Sequence, residues 1–574
     1  MTPSAAKLDL DEELPFEGNF IEQAEYLDPE RFSSLATEHP NEEAILKKLM
    51  GGGAKLLIGP RGCGKSTLML KAFHSLLNSD GALVLPIYVN FKLALKIEPL
   101  YTKGANAPFW FKKWLALKVF QAAHDVISNK SLSAPEEFPK AKDLSLAIAS
   151  IEAGATENID LDQFTSNYLV EQIEKLINQN GCSRCVLLID DAAHAFSEKQ
   201  QEDFFDFFRG VKSRTISPKA AVYPGITSHS PSFHVGHDAE QVDAWVRPSG
   251  KPYEDFMLEM ARKRFLGTPI EGIYKNTDDL CFLAYASFGI PRAFLGMLRS
   301  IYNAQDSYIN SDGSLSKSRL LSLARQGREM SHAVYSSLND KLPPYRKFTQ
   351  NGASIYQAIL DSVKEFNRGK EPNRQAIQFG VQSPTAPDVE KVFQFLQYSG
   401  LIMPAGEVMR GVKGTFSIYD LHIGDLITEN AIVGKRTKSI AEFLEVIRAT
   451  RHQAWPRLTS ASVCEAAGVA SNSFSLSLPQ CQACGTERLN SSARFCSNCG
   501  AQLKSSSTYE ALVQQDISAL PISSRLQKRI KEHSRIRKVK DILIDSNREQ
   551  LRGIKYIGET RARYIVGAAE EYVS

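Results

Sequence analysis

Short apolar runs alternate with longer segments of helical period in the first half of the chain. Four runs predict buried strands, at 56–58, 82–91, 185–189 and 220–228. The segment 164–180 instead spaces its apolar residues every three or four positions, which predicts an amphipathic helix. Strands that alternate with helices in this way indicate an α/β fold built on a parallel sheet.

The first strand runs into a glycine-rich turn and then into a helix, which together fit the pattern G-x-x-x-x-G-K-[S/T]. In such a turn the backbone N–H groups point inward at phosphate oxygens, and the helix N-terminus adds a partial positive charge. Lys65 would reach the β- and γ-phosphates, Ser66 would bind Mg²⁺, and Thr67 would lie near the α-phosphate. We therefore predict a binding site for ATP. Its residues are Gly59, Pro60, Arg61, Gly62, Cys63, Gly64, Lys65, Ser66 and Thr67.

The strand at 185–189 ends in two aspartates, and its place after the glycine-rich turn gives them a role. Asp190, at the tip of a buried strand, is predicted to bind Mg²⁺, and Asp191 to orient or deprotonate the attacking water. The next strand ends in small hydroxyls, of which Thr227 or Ser228 is the candidate for contacting the γ-phosphate. This arrangement predicts an ATPase, with Lys65 and Asp191 among its catalytic residues.

Two C-x-x-C pairs lie close together late in the chain. Cys481 and Cys484 form the first, and Cys496 and Cys499 the second, with eleven residues between the pairs. Thiolates at this spacing can converge tetrahedrally on one Zn²⁺. Because four sulfur ligands leave no open position for water, we predict a structural zinc site.

The last part of the chain, from about residue 508, is rich in positive charge. The segment 523–540 carries eight Lys and Arg residues against Glu532 alone. A charge run by itself is usually only a solvated face, but a turn at Gly558 follows, where backbone N–H groups could approach a phosphate. We predict that this tail binds DNA through its phosphates, with little sequence preference.

Composition limits the class of protein. A chain of 574 residues exceeds what one core holds, so three to five domains are expected. No apolar run approaches the roughly 18 residues that span a bilayer, and the acidic start of the chain is unlike a signal peptide. We expect a cytoplasmic protein without a membrane partner, whose nine cysteines do not form disulfides.

A resemblance to a known family adds a further residue. Gly289-Ile290-Pro291-Arg292, which starts a helix after both phosphate motifs, resembles the sensor 2 element of the origin-recognition and helicase-loader AAA+ ATPases. In that family the arginine reaches over the nucleotide from a helical lid, and the resemblance implies this catalytic role for Arg292. It also implies assembly into homo- or hetero-oligomers through the ATPase module.

The segment 341–434 resembles a winged helix, which the same family carries directly after its lid. Predicted helices at 353–366, 373–379 and 386–399 are followed by a hairpin with a basic tip. This fold binds DNA through its third helix and wing, but it also often serves as a protein-contact module. The sequence leaves both uses open.

The tail resembles the helix–hairpin–helix motif and the DNA-binding C-terminal domain of the RNA polymerase α subunit. Its segment 551–562 has the apolar residue, the turn, the Ile-Gly pair and the basic helix of that motif. One departure is Tyr556, which stands where the motif usually has glycine. That substitution puts a close backbone approach at this position in doubt.

Two departures separate the chain from the origin-recognition pattern. The family usually ends its second phosphate motif in Asp-Glu, whereas this chain has Asp190-Asp191. Paired aspartates look more like the STAND signalling ATPases, in which slow hydrolysis serves as a switch. The arginine that would act in trans is also not identifiable, since no motif selects among Arg209, Arg214 and Arg247.

These features predict an α/β P-loop NTPase with an AAA+-like parallel sheet, a helical lid, a winged helix, a zinc ribbon and an all-α helix–hairpin–helix domain. The expected function is an ATP-hydrolysing switch that acts on DNA. The alternative is a signalling or anti-phage defence scaffold that oligomerises on ATP and senses nucleic acid or a protein. The predicted parts are a lead-in at 1–40, the ATPase core at 41–270, the lid at 271–340, the winged helix at 341–434, a connector at 435–477, the zinc ribbon at 478–503 and the tail at 508–574.

Overall fold

The structure is a computed structural model that describes residues 17–79, 84–92, 94–103, 106–155, 161–191, 198–304, 309–310, 312–433, 439–449, 454–470, 473–488, 493, 495–503, 507–545 and 547–573. Among these residues, no helix combines the length and the apolar character that crossing a membrane requires. The strands are β1 (Lys55–Ile58), β2 (Val84–Asn90), β3 (Arg184–Asp190), β4 (Ile216–Val222), β5 (Glu240–Asp243), β6 (Gln378–Gln382), β7 (Ile402–Met409), β8 (Thr415–Leu421) and β9 (Arg457–Leu458).

The α-helices follow the same numbering along the chain. They are α1 (Pro29–Leu35), α2 (Glu42–Met50), α3 (Lys65–Leu77), α4 (Glu98–Lys103), α5 (Ala107–Asn129), α6 (Ala141–Glu152), α7 (Ser166–Gln179), α8 (Glu198–Val211), α9 (Gly250–Phe265), α10 (Thr277–Ala286), α11 (Pro291–Ala304), α12 (Lys317–Lys341), α13 (Arg346–Asn367), α14 (Pro387–Tyr398), α15 (Ile423–Thr428), α16 (Ile440–Arg448), α17 (Ser460–Ala466), α18 (Thr508–Val513), α19 (Ser524–His533), α20 (Val539–Ile544), α21 (Glu549–Arg552) and α22 (Glu559–Val573).

Five parallel strands form the first sheet, in the order β2-β3-β4-β1-β5. Helices cover both faces, with α2 and α3 on one side and α5, α7 and α8 on the other. Burial on both faces explains why the strands read as apolar runs in the sequence. The predicted α/β fold with a parallel sheet is therefore confirmed. The carboxyl ends of β1, β3 and β4 meet along one edge.

Helices α9 to α12 form a helical unit beside that edge. They share an apolar core in which the side chains of Tyr253 and Phe282 are fully buried. The unit begins with α9 at Gly250, ahead of the predicted lid boundary at 271. Pro291 opens α11, a position where its missing N–H costs no hydrogen bond.

The second sheet has the order β7-β8-β6-β9 and belongs to the unit predicted as a winged helix. Along the chain this unit runs α13, β6, α14 and the hairpin β7–β8. The predicted helix at 373–379 is wrong, because a short turn at Pro372–Arg374 leads into β6 instead. Antiparallel pairing with β8 overrides the local helical pattern. The predicted connector supplies β9, which pairs with β6.

Helix α14, the predicted third helix of this unit, packs against the glycine-rich loop. Each residue from 389 to 400 is buried or half-buried. The N–H of Arg61 donates to the carbonyl of Tyr398 at 3.3 Å, and Gly225 lies so close to Gln394 that a side chain there would collide with it. Most of this helix is therefore covered by other parts of the chain, whereas the hairpin tip at 409–413 is exposed.

Helices α18 to α22 form the tail, which is anchored to the ATPase core. Glu98 of α4 accepts hydrogen bonds from the hydroxyl of Ser507 at 2.5 Å and from the N–H groups of Thr508 and Tyr509, both at 3.2 Å. The carboxylate thus caps the N-terminus of α18 from another part of the chain. The tail is held against the core at its first helix.

Candidate functional site

A cavity opens at the carboxyl edge of the first sheet. Its floor is the glycine-rich loop with the start of α3, one wall is formed by α9 and α11, and the opposite wall by the lead-in before α2. Asp191 and Tyr223 reach it from the ends of β3 and β4, and Glu571 reaches it from α22. Packing of these elements brings together residues from both ends of the chain.

The glycine-rich loop has a conformation that its glycines permit. Gly62 and Gly64 have φ angles of +83° and +100°, in the left-handed region. A Cβ at Gly62 would lie 3.0 Å from the Cβ of Arg292, so this glycine also lets α11 approach the loop. Helix α3 begins at Lys65, and its first N–H groups are free of intrahelical partners. A strand, a loop and a helix N-terminus thus follow in the order that phosphate binding requires.

Lys65 lies buried at the centre of the loop. Its Nζ donates to the carbonyls of Gly59 at 2.8 Å and Pro60 at 3.0 Å, and it lies 3.7 Å from the ring centre of Tyr223. Burial lowers the pKa of this ammonium group. A buried cation among carbonyls and an aromatic face can accept an anionic partner at little further desolvation cost.

The two aspartates at the end of β3 have different partners. Asp190 is fully buried and accepts hydrogen bonds from the hydroxyl of Tyr88 at 2.8 Å and from Ser66. Burial, with the charges of Asp191 and Glu25 nearby, raises the pKa of Asp190 to about 7. The structure therefore brings the two predicted magnesium ligands, Ser66 and Asp190, into contact. A hydroxyl beside a crowded carboxylate fits a hard divalent cation, which would relieve the repulsion.

Asp191 is the residue of the pair that faces the cavity. It has a φ of +50°, an uncommon value for a residue other than glycine. Its Oδ1 accepts a hydrogen bond from the hydroxyl of Tyr223 at 2.7 Å. An unusual backbone conformation together with a fixed carboxylate is typical of a functional position.

The structure does not bring Thr227 into the cavity. Strand β4 ends at Val222, and the turn at Pro224 and Gly225 follows. The hydroxyl of Thr227 donates to the carbonyl of Tyr223 at 2.7 Å and accepts from its N–H at 3.1 Å, so Thr227 closes this turn. The strand stops before Thr227, so in this structure that residue does not line the cavity, and its contact with a γ-phosphate stays a prediction. The cavity instead receives Tyr223, the first residue after the strand.

Arg292 lies at the start of α11, next to the glycine-rich loop. Its N–H donates to the carbonyl of Gly62 at 3.3 Å, and its guanidinium forms an ion pair with Glu571. Arg61 of the loop also binds Glu571, with 3.0 Å between Nε and Oε1. Sequence reasoning missed Glu571, for which no local pattern exists, and Tyr223, which the end of the apolar strand could have indicated.

The three arginines left open as trans-acting candidates lie outside the lining of this cavity. Arg247 is bound to Asp420 of the second sheet and to the carbonyl of Pro404 at 2.6 Å. Arg209 donates to the carbonyl of Ser232 at 3.1 Å. Both arginines have partners within this chain.

The outer part of the cavity is apolar and is lined by the lead-in and the lid. This apolar wall belongs to the same cavity as the glycine-rich loop. Its apolar residues are Ile21, Leu27, Phe32, Leu35, Phe256, Met260 and Leu295.

The four cysteines of the predicted ribbon converge. The Sγ atoms of Cys481, Cys484, Cys496 and Cys499 all lie within 4.8 Å of one another. Each pair closes a tight turn, in which the N–H of Gly485 donates to Cys481 at 2.8 Å and an equivalent bond of 3.0 Å closes the second turn. Four thiols at these separations fit a tetrahedral metal site with no position left for another ligand.

The hairpin 553–558 joins α21 to α22. Tyr556 has a φ of +69°, so it adopts the left-handed conformation at the position where the resembled motif usually has glycine. Its carbonyl accepts from Arg561 at 3.0 Å, and the guanidinium of Arg529 lies 4.8 Å from its ring centre. These contacts support the unusual backbone from both sides. The exposed basic residues of the preceding segment are Arg525, Lys528, Arg535, Arg537 and Lys538.

No protein-family profile matches the chain, and no curated protein matches it. Among solved structures, it is similar to the Aeropyrum pernix ORC1 protein in complex with DNA, with a TM-score of 0.30 and 14% identity over 72% of this chain and 95% of that chain. It is also similar to Cdc6p from Pyrobaculum aerophilum, with a TM-score of 0.30 and 13% identity over 75% of this chain and 98% of that chain. The function of the protein is therefore inferred from its own residues.

Proposed function

We propose that this protein is an ATPase of the AAA+ type that acts on DNA and is switched by ATP binding and hydrolysis. The observation that carries the proposal is the convergence of Lys65, Asp191 and Arg292 on one cavity. Phosphoryl transfer needs a cation at the terminal phosphates, a carboxylate for the attacking water and an arginine for the charge of the transition state. A loop, a strand end and a lid helix supply these three groups.

The cavity suits the parts of ATP in order. Backbone N–H groups of the loop and of the first turn of α3 would bind the phosphates, with Lys65 at the β- and γ-positions. Thr67 would lie near the α-phosphate, and the apolar wall beyond would receive the base. Arg292 would reach the γ-phosphate from the lid. Opening or closing of the lid would then depend on the nucleotide.

Ser66 and Asp190 would hold Mg²⁺, which when bound neutralises charge on the β- and γ-phosphates. Asp191 would orient the attacking water and accept its proton. The hydroxyl of Tyr223 would keep that carboxylate in place, since it already donates to Oδ1. That hydrogen bond also occupies one of the two oxygens that could contact the water.

The cysteine cluster would hold one structural Zn²⁺. Its four thiolates would complete the coordination shell, so the metal would order the ribbon and would take no part in hydrolysis. The ribbon would thereby fix the path of the chain between the second sheet and the tail.

The tail would deliver the ATPase to DNA. It carries exposed basic residues, and Arg529 of the same segment contacts Tyr556 in the hairpin 553–558, where backbone N–H groups at Gly558 could meet a phosphate. Neither feature reads base edges, so affinity would come from phosphate contacts. The exposed tip at 409–413, with Arg410 and Lys413, offers a second positively charged surface for DNA.

The test is ATP turnover of the purified protein with and without duplex or single-stranded DNA. We expect turnover that depends on Mg²⁺ and rises when DNA is added. If four to six phosphates are neutralised, log K for DNA should fall against log salt with a slope of about −4 to −5. Turnover that DNA leaves unchanged, with a slope near zero, would contradict the proposal.

The alternative function is a signalling or defence scaffold in which ATP drives oligomerisation. The paired Asp190-Asp191 favours it, as does the hydrogen bond that holds Asp191 to Tyr223. Nucleotide-dependent oligomers that form equally well without DNA, with turnover indifferent to DNA, would support this reading instead. Size-exclusion chromatography with light scattering, at matched nucleotide and DNA concentrations, distinguishes the two.

A further inference from the structure

The carboxylate of Glu571, near the end of α22, lies among the cations of the nucleotide cavity. Its Oε1 accepts a hydrogen bond from Nε of Arg61 at 3.0 Å and forms an ion pair with the guanidinium of Arg292. Its Oε2 accepts from Nε2 of Gln23 at 2.7 Å. The carbonyl of the same residue accepts from Arg61 Nη2 at 2.8 Å and from Lys341 Nζ at 3.3 Å.

These contacts are the ones that a pair of arginines makes with an anion. Burial raises the pKa of Glu571, but Arg292, Arg61 and Lys92 outweigh it and hold the pKa below its usual range. The carboxylate is therefore charged. Guanidinium groups bind carboxylate and phosphate oxygens with the same donor geometry, so Glu571 occupies an anion-binding position of the cavity.

Helix α22 is seated on the lead-in at close range. A Cβ at Gly567 would collide with the side chain of Gln23 and lie 2.9 Å from the ring of Tyr26. Gln23 Nε2 also donates to the carbonyl of Gly567 at 3.4 Å, and Arg563 donates to the carbonyl of Tyr26 at 3.3 Å. Glycine destabilises the interior of a helix, and the close approach of the lead-in is the physical reason why α22 has glycine at position 567.

We infer that Glu571 and the terminal phosphate of ATP compete for Arg61 and Arg292, so that the seated helix α22 lowers the affinity of the cavity for ATP. The inference rests on the proposed function, since it takes ATP as the ligand of the cavity. Two anions at the same guanidinium groups repel each other strongly in a buried site. ADP lacks the γ-phosphate that faces Arg292, so the competition acts on ATP selectively. Binding of ATP then unseats α22 and shifts the hairpin that precedes it.

The first experiment measures the dissociation constants of ATP and ADP for the full chain and for Glu571→Gln by isothermal titration. Removal of the competing charge should tighten ATP binding by about tenfold, the scale of one charge-assisted hydrogen bond. ADP affinity should change by less than about twofold. Glu532→Gln, an exposed change in the same tail, is the matched control. Weaker ATP binding, no change, or an equal gain for both nucleotides overturns the inference.

A second experiment reads the position of the helix directly. Hydrogen exchange of residues 559–573 in the wild-type chain should increase with a non-hydrolysable ATP analogue and stay unchanged with ADP. Gly567→Leu should displace the helix without altering either arginine. In this variant, hydrogen exchange of the helix should be faster without nucleotide, and ATP should bind more tightly, as it does in Glu571→Gln. Exchange that stays constant or falls with the analogue overturns the competition.

Failure of this inference differs from failure of the proposed function. If the wild-type chain binds ATP and Lys65→Ala binds it far more weakly, but Glu571→Gln behaves as wild type, only the competition is overturned. If neither the wild-type chain nor Glu571→Gln binds ATP, both are overturned.

Discussion

The cavity proposed to bind ATP and the cysteine cluster are built in opposite ways. The cavity takes Ile21 from the lead-in, Asp191 from a strand end, Arg292 from the lid and Glu571 from the last helix. The cluster takes its four sulfurs from within nineteen residues, and local hydrogen bonds close its turns. One site depends on the packing of four units, namely the lead-in, the core, the lid and the tail, and the other depends on its own short segment.

This difference predicts how far from each site a substitution should alter the structure. Side chains in the cavity are supported by large apolar cores on both sides of the sheet, so a polar substitution there alters binding without unfolding. The ribbon has little apolar support, and its folding free energy would come from the metal. A substitution in the cluster should therefore strongly destabilise the ribbon and leave the rest of the chain folded. A substitution in the cavity should change the stability of the chain little, but it should alter the contacts that hold the tail.

We expect the largest effect from a substitution that removes one ligand of the cysteine cluster. Cys496→Ser should lose the zinc, removing local folding free energy on the order of 10 kcal/mol. Residues 478–503 should become sensitive to protease, while ATP affinity stays within about twofold of wild type. Elemental analysis, limited proteolysis and titration measure these outcomes. Cys464→Ser, outside the cluster, is the control, and full zinc content in Cys496→Ser would contradict the four-cysteine assignment.

Next in size is the loss of turnover on removal of the proposed base. Asp191→Asn should lower kcat by about a thousandfold, as a positioned general base contributes, and leave ATP affinity nearly unchanged. Phosphate release assays at saturating ATP measure this rate. Asp243→Asn, at the exposed end of β5, is the matched control. A normal rate in Asp191→Asn would mean that another residue activates the water.

The third effect is a loss of ATP affinity, which we expect to be smaller, as a free energy, than the two effects above. Lys65→Ala removes the cation at the terminal phosphates and should weaken ATP binding by about a hundredfold. Titration with a fluorescent ATP analogue measures it, and zinc content should not change. Lys48→Ala removes an exposed lysine that pairs with Glu240 at 2.8 Å and serves as the control. Equal affinity in Lys65→Ala and wild type would exclude the loop as the phosphate site.

The smallest expected effect concerns the salt dependence of DNA binding by the tail. Charge reversal at Arg529 or Arg561 should each flatten the slope of log K for DNA against log salt by about one unit. Both arginines contact Tyr556, so unchanged thermal melting must show that the hairpin stays folded. Arg325→Glu, exposed on the lid helix α12, is the control. An unaltered slope in both tail variants would favour a protein partner for the tail. Deletion of the whole tail is a poorer test, because it also removes Glu571 from the cavity.

Sequence reasoning did best where a motif is contiguous. The loop from Gly59 to Thr67 and the four cysteines are each defined by spacing over a few residues, and the structure has both in the expected local form. It did worst where neighbours in space decide the outcome. The helix expected at 373–379 is partly strand β6 because β8 pairs with it. Thr227 misses the cavity because β4 ends earlier than its apolar run suggested.

The sequence by itself determined which reactive groups this protein has and in what local setting: a glycine-rich loop before a helix, a strand ending in two carboxylates, an arginine at a helix start and four thiols. Local backbone preferences and side-chain type suffice for these, since each acts over one turn or one strand. Only the tertiary structure decided that α14 packs against the loop, that Tyr223 holds Asp191, and that Glu571 binds Arg61 and Arg292. Those contacts join residues far apart in the chain, and their pairing depends on how whole helices pack, for which no short pattern carries a signal.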